Sequence, residues 1–163
     1  MSTLERRVRN LFLLALAGVV LASPVQSGAV TVIAVSDPWV RVAPNGKSAE
    51  AFMEISSSEG ATIVRVESDI SAEVPMQRPG TKPAVAETIA LPARTNVKLA
   101  PGDYRFLLPK LKRPLKLGDR VALSVTVEAP DGSRQTIPVN AEVRRRSAYD
   151  DHLHPLTPHS HAH

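Results

Sequence analysis

The residues with the clearest capacity for chemistry are histidines gathered at the C-terminus. All five histidines of the 163-residue chain lie in its last twelve positions, at His152, His154, His159, His161 and His163. His152 and His154 form one group, and His159, His161 and His163 form a second. Within each group the histidines occupy alternate positions, and alternate side chains of an extended chain share one face. Neutral imidazole binds Zn(II), Ni(II) and Cu(II), with Cu(II) the tightest of the three. The pattern predicts a metal-binding tail and leaves the metal open; the alternative is a polar terminus that binds nothing.

The same distribution excludes most enzyme mechanisms from the rest of the chain. Residues 1–151 contain no histidine, and the chain contains no cysteine. No Ser-His-Asp triad, thiolate nucleophile or thiolate metal site can therefore be built in the domain. A flexible tail cannot hold an imidazole within the roughly 3 Å that general acid–base catalysis requires. We therefore expect a binding protein and not an enzyme.

The first 29 residues have the order of a secretory signal peptide. A basic head at 5–9 precedes an unbroken apolar run at 11–22, and residues 27–29 are small, as a signal peptidase requires. A membrane anchor, the alternative, needs about 20 apolar residues, and this run has twelve. We expect export to the periplasm and removal of residues 1–29. Because these hold three arginines and one glutamate, removal lowers the formal net charge from +4 to +2. Neither nucleic acid nor, after cleavage, the membrane is expected as a partner.

The following residues alternate between apolar and polar with a period of two, and turn signals recur at short intervals. This predicts an all-β fold, an antiparallel β-sandwich of Greek-key type. The clearest strand is Arg120–Glu128; the others are predicted at 30–35, 39–42, 51–55, 61–67, 95–99, 104–108 and 135–143, with a long loop at 71–84. The predicted organisation is a signal peptide at 1–29, a β-sandwich domain at 30–143 and a basic, His-rich, disordered tail at 144–163.

Four stretches of the domain match motifs that are known in this order from one family. The stretch 37–44, DPWVRVAP, matches D-x-W-x-R-x-x-P, and the stretch 51–55, AFMEI, matches the strand A-A-Y-L-x-I. The stretch 91–104 contains LPA and VKLAPGDY, which match I-P-A and V-x-L-x-P-G-G-Y, and the stretch 110–119, KLKRPLKLGD, matches G-L-K-x-P-L-K-x-G-D. Residues 35–143 thus resemble the periplasmic copper chaperones of the PCu(A)C family, the DUF461 group. The resemblance implies a cupredoxin-like β-sandwich that handles copper.

The copper ligands of that family are largely missing here. The family has an early His, often followed by Met, a second Met, and a His-x-Met directly after the tyrosine, whereas Tyr104 is followed by Arg-Phe-Leu. Met76 lies near the position of the early ligands and is kept as a candidate ligand, and Met53 is expected in the core. Since Arg105 is a cation where a Cu(I) ligand is expected, the predicted cofactor is copper held as Cu(II) by the tail imidazoles, in preference to Cu(I).

Three functions are consistent with these features. A monomeric copper chaperone would pass its metal to a periplasmic copper-acceptor protein or to an oxidase assembly factor. A degenerate sandwich without metal would serve as an interaction module. A zinc- or nickel-binding periplasmic protein would share only the fold. The first is our prediction, because it joins the histidine tail to the resemblance.

Overall fold

The computed structural model describes residues 30–80 and 84–148, and its elements in these ranges are all β-strands. They are β1 (Ile33–Val42), β2 (Ala49–Ser57), β3 (Ala61–Ser68), β4 (Met76–Gln77), β5 (Val85–Ala86), β6 (Ile89–Leu91), β7 (Asn96–Leu99), β8 (Arg105–Leu108), β9 (Arg120–Glu128) and β10 (Arg134–Val143). In this part of the chain no helix is long and apolar enough to cross a bilayer. The predicted all-β fold is confirmed. The leader and the histidine tail lie outside the described residues and remain predictions.

One continuous sheet joins the strands. Their order is β5-β4-β8-β2-β1-β10-β9-β3-β6, and β7 also pairs with β2. All strand pairs are antiparallel except β1 and β10, which run parallel through Trp39 and Val40. The predicted antiparallel arrangement therefore holds for every pair but one. All the other strands lie between β1 and β10 in the sequence. Such a long connection allows two strands to pair in parallel, whereas a hairpin connection allows only antiparallel pairing.

The core is built from alternate residues of these strands. In β9 the buried side chains are Val121, Leu123, Val125 and Val127, which are at most 2 % exposed, as the period of two predicts. Residues from distant strands of the sheet order, such as those of β4 and β6, belong to the same apolar cluster. The sheet must therefore curl so that its two halves face each other, which produces the sandwich. Burial of each such side chain contributes about 1.5–3 kcal/mol.

The segment predicted as a loop at 71–84 contains the short strand β4, and β5 and β6 follow it. Strands of two or three residues are too short to show alternation, so the sequence pattern could not reveal them. Ser71 is buried, and its Oγ lies 2.6 Å from the carbonyl oxygen of Pro109. This contact ties the start of the segment to the chain that follows β8.

Candidate functional site

The positions after Tyr104, where the resemblance locates metal ligands, form β8. Phe106 and Leu108 are fully buried in the core. Because neighbouring residues of a strand point to opposite faces, Arg105 and Leu107 lie on the outer face of the sheet. The register sets Arg105 opposite Gln77 of β4 and Leu107 opposite Glu50 of β2. Side chains from three strands therefore meet at this face.

One carboxylate and two guanidinium groups form an ion cluster there. Glu50 Oε2 accepts a hydrogen bond from Arg41 Nη2 at 2.7 Å, and Glu50 Oε1 lies 3.1 Å from Arg105 Nε. The Arg105 side chain is only 12 % exposed, against 27 % for Glu50 and 41 % for Arg41. Arg105 Nε is buried and makes no aligned hydrogen bond. At Nε, the positive charge of Arg105 is thus compensated by the proximity of the Glu50 carboxylate and not by a well-directed hydrogen bond.

An aromatic pair supports the cluster. The rings of Trp39 and Phe52 lie 4.5 Å apart with an interplanar angle of 34°, and the register pairs these two residues across β1 and β2. The Arg41 guanidinium carbon lies 5.3 Å from the centroid of the Phe52 ring, within the range of a cation–π interaction. The outer face is therefore occupied by packed aromatic and ion-paired side chains.

This arrangement is unsuited to binding a metal. A guanidinium group stays protonated and has no lone pair to donate, and the Leu107 side chain has no donor atom. A metal cation beside Arg41 and Arg105, which share the one carboxylate of Glu50, would face net positive charge. At the positions where the family has its His-x-Met, the face of this sandwich is closed by protein groups.

Met76, the one candidate ligand within the described residues, lies on the other side of the sheet. It pairs with Phe106, and residues directly opposite each other in an antiparallel pair point to the same face. Its side chain is 6 % exposed and belongs to the core cluster, as does that of Met53. The structure therefore does not bring Met76 together with positions 105 and 107, which lie on the outer face. Its role as a ligand stays a prediction.

The five candidate histidines fall outside the described residues, so their use as ligands also stays a prediction. Among residues 30–80 and 84–148, no three His, Cys, Asp or Glu side chains are grouped so that they could hold a metal ion.

The chain that leads into the predicted tail is fixed to β1 by a polar corner. The backbone N–H of Arg144 donates to the carbonyl of Val40 at 2.9 Å. Arg144 Nη1 donates to Asp37 Oδ1 at 2.7 Å, and Ser147 Oγ donates to Asp37 Oδ2. Asp37 lies at the irregularity of β1, with φ of 44°. The first residues of the segment predicted as tail, up to Ser147, therefore pack on the sandwich.

A second carboxylate completes this corner. Arg144 Nη2 donates to Glu142 Oε2 at 2.9 Å. This hydrogen bond is the main reason that the pKa of Glu142 lies below its usual value and that the pKa of Arg144 lies above its own. The corner borders a small cavity of about 280 Å³, whose lining includes Trp39, Met53 and Ser147.

Sequence reasoning singled out Arg105 but missed Glu50 and the Asp37–Arg144 corner. Glu50 alternates with core residues in β2, and this was the available signal that it faces outward. Nothing in the sequence indicates that it meets Arg105, because the two residues are joined only through the pairing of β2 with β8.

Comparison with known proteins places this fold in a family. The model of the LpqE-like family, described as "Putative lipoprotein LpqE-like", matches residues 33–143. The chain belongs to the LpqE-like family. "Putative lipoprotein Lxx21020" of Leifsonia xyli subsp. xyli is 31 % identical over 116 residues, which cover 66 % of this chain and 68 % of the relative.

Solved PCuAC domains share the architecture of this LpqE-like protein. The apo PCuAC domain from PmoF1 has a TM-score of 0.59 at 19 % identity and covers 69 % of this chain and 92 % of its own. The copper-bound PCuAC domain from PmoF2 has a TM-score of 0.53 at 22 % identity, with 69 % and 93 % covered. Apo-DR1885 from Deinococcus radiodurans has a TM-score of 0.53 at 22 % identity, with 74 % and 86 % covered. The predicted PCu(A)C-like, cupredoxin-like sandwich is confirmed as a fold.

Proposed function

We propose that this LpqE-like protein is a periplasmic copper-binding protein of the chaperone type. It holds Cu(II) through the imidazoles of His152, His154, His159, His161 and His163 and passes the ion to a copper-acceptor protein or an oxidase assembly factor. The observation that supports this proposal is the distribution of donor groups. All imidazoles of the chain lie in its last twelve residues, while the outer face of β8 holds the Arg105–Glu50 ion pair.

The polar corner at Asp37 supports a division of labour between sandwich and tail. Because Arg144 and Ser147 are held on β1, the histidine segment starts from a fixed point of the domain. The sandwich then serves as the body that docks on the acceptor, and the tail presents the ion from one side of it. Transfer of the ion would proceed by replacement of the imidazole ligands by ligands of the acceptor.

The proposed location outside the cytoplasm rests on the leader at 1–29 and on the lipoprotein names of the family and its relative. The 163 residues contain no cysteine, so they offer no thiol for attachment of a lipid. We expect removal of the leader by a signal peptidase, as its order of basic, apolar and small residues predicts.

The test is a metal titration of the chain without its predicted leader, residues 30–163, and of a variant of it with all five histidines replaced by glutamine. Cu(II) binding followed by calorimetry is expected in the first protein and lost in the second. Titration with Zn(II) and Ni(II) ranks the metals, and affinity should fall as the pH drops below about 6.5, because protonated imidazole cannot ligate. Equal Cu(II) binding by the two proteins would contradict the tail site.

Met76→Leu is the matched control. The exchange keeps the volume of the buried side chain and removes the sulfur, so the fold should tolerate it at a cost below about 1.5 kcal/mol. Cu(II) binding should be unchanged in this variant. Loss of binding in Met76→Leu with retention in the histidine variant would move the site into the sandwich.

A second candidate function is a metal-free interaction module, and the ion cluster of Arg41, Glu50 and Arg105 favours it. That cluster closes the face on which the resemblance locates the ligands, so the sandwich would keep its shape without metal. Failure of the chain without its leader to bind Cu(II), Zn(II) or Ni(II) in the titration above would select this function.

A further inference from the structure

One end of the sandwich is strongly basic. We define the basic end as residues 43–48, 109–120 and 142–146. The first range follows β1, the second runs from the end of β8 to the first residue of β9, and the third covers the last two residues of β10 and the three residues after it. The basic end holds nine Lys or Arg residues and two acidic residues. The adjoining segment 69–75, whose Ile70 carbonyl accepts a hydrogen bond from the N–H of Lys112, adds Asp69 and Glu73, and the remaining described residues hold seven Lys or Arg and nine acidic residues. The positive charge of the folded domain is therefore concentrated at one pole and opposed by net negative charge elsewhere.

Hydrogen bonds hold the three segments of the basic end together. The N–H of Leu111 donates to the carbonyl of Lys47 at 2.9 Å, which joins the β1–β2 loop to the β8–β9 segment. The N–H of Gly118 donates to the carbonyl of Val143, and the N–H of Val143 donates to the carbonyl of Asp119, both at 2.9 Å. The basic residues thus share one surface of fixed shape.

Five of these nine cations form no ion pair with the described residues. Arg113, Arg120 and Arg144 have carboxylate partners. In contrast, the exposed side chains of Lys47, Lys110, Lys112, Lys116 and Arg145 form no ion pair among the described residues. Like charges gathered without partners repel one another and weaken the fold slightly, so their clustering calls for a ligand that bears negative charge.

A large apolar side chain is exposed in the middle of this charge. Leu117 is 58 % exposed. It lies between Lys116 and Gly118 and borders a groove with Leu115, Arg144 and Arg145. An exposed leucine surrounded by cations has the composition of surfaces that lie at the boundary between lipid headgroups and acyl chains.

In contrast to the expectation from the sequence that the membrane is not a partner after cleavage, we infer that the basic end docks the protein on the surface of an anionic phospholipid membrane. Four of the five unpaired cations are lysines, whose compact ammonium groups act as point charges and require no fixed fork geometry. Such a set suits the diffuse negative charge of a lipid surface. Leu117 can bury its side chain among lipid acyl chains, whereas an acidic protein surface offers it no apolar partner. This docking is peripheral and needs neither metal nor the histidine tail.

The test is co-sedimentation of the secreted protein with vesicles. Vesicles of equal parts phosphatidylglycerol and phosphatidylcholine are compared with vesicles of phosphatidylcholine alone, at low and high salt. Binding is expected only with phosphatidylglycerol and should weaken as salt screens the charges. In the triple variant Lys47→Gln/Lys110→Gln/Lys116→Gln the partition coefficient should fall about a hundredfold, since each cation near such a surface contributes about fivefold. Leu117→Ser should lower it by about a further fivefold.

The control triple variant is Arg78→Gln/Arg94→Gln/Lys98→Gln. It has the same net charge, and its three exposed cations also form no ion pair among the described residues but lie outside the basic end. It should bind vesicles within about threefold of the unaltered protein. An equal loss in both triple variants would overturn the inference, as would binding to poly-glutamate without binding to phosphatidylglycerol vesicles, which would indicate an acidic protein partner.

Discussion

Replacement of Glu50 by glutamine removes the carboxylate that compensates Arg105. No other acidic side chain within the described residues forms an ion pair with that guanidinium. Glutamine keeps the size and the polar shape of the side chain, so the change isolates the charge. We expect the variant to fold into the same sandwich with a lower free energy of unfolding, because a nearly buried cation is left without its counter-charge.

The size of this loss follows from the exposure of the three side chains. Removal of one partner from a fully buried ion pair costs about 3–5 kcal/mol, and an exposed pair contributes at most about 1 kcal/mol. Arg105 is 12 % exposed, but Glu50 is 27 % and Arg41 is 41 % exposed, so solvent screens part of the cluster. We expect a loss of about 2 kcal/mol.

The assay is urea denaturation followed by far-UV circular dichroism. The midpoint should fall in Glu50→Gln while the slope of the transition stays unchanged. The matched control is Glu67→Gln, which breaks the Arg65–Glu67 pair. The distance between the charged atoms of that pair is 2.7 Å, the same as in the Arg41–Glu50 pair, but its side chains are 67 % and 54 % exposed. The control should lose less than about 0.5 kcal/mol. A loss in Glu50→Gln no larger than in the control would refute the assignment of Arg105 as a buried, Glu50-dependent cation.

Two further predictions concern the corner and the outer face. Arg144 lowers the pKa of Glu142 below its ordinary value of about 4.5. The Glu142 carboxylate therefore stabilises the fold at pH values above that ordinary value, and this contribution is lost as the pH falls through the lower pKa of the folded state. In Glu142→Gln the melting temperature should fall less steeply with decreasing pH in this acidic range. The variant Gln77→Met/Arg105→His/Leu107→Met places three soft or imidazole ligands on one face and should bind Cu(I) at least about tenfold more tightly than Arg105→His/Leu107→Met, as measured by competition with a chromophoric chelator. Equal affinities would mean that position 77 does not face position 105.

Several elements of the fold could be predicted from sequence because their signals are local. Arg120–Glu128 has the same bounds in the structure as in the prediction, since four apolar residues at alternate positions allow only one face to be buried. The motif at 37–44 and those following it indicated the PCu(A)C-like fold for the same reason, because each motif is a short stretch of a strand or turn. The strands β4 to β6 escaped prediction because they have two or three residues, fewer than the four to eight over which a strand pattern can be recognised.

The candidate site shows the limit of local signals. The sequence by itself determined that Arg105 and Leu107 replace the expected ligands and that all imidazoles lie beyond residue 151. Only the tertiary structure decided that Glu50 neutralises Arg105, that Met76 faces the core, and that Asp37 binds Arg144 across 107 positions of the chain. These contacts depend on strand register and on which strands are neighbours. Both are set by burial of the whole core, so no single stretch of sequence encodes them.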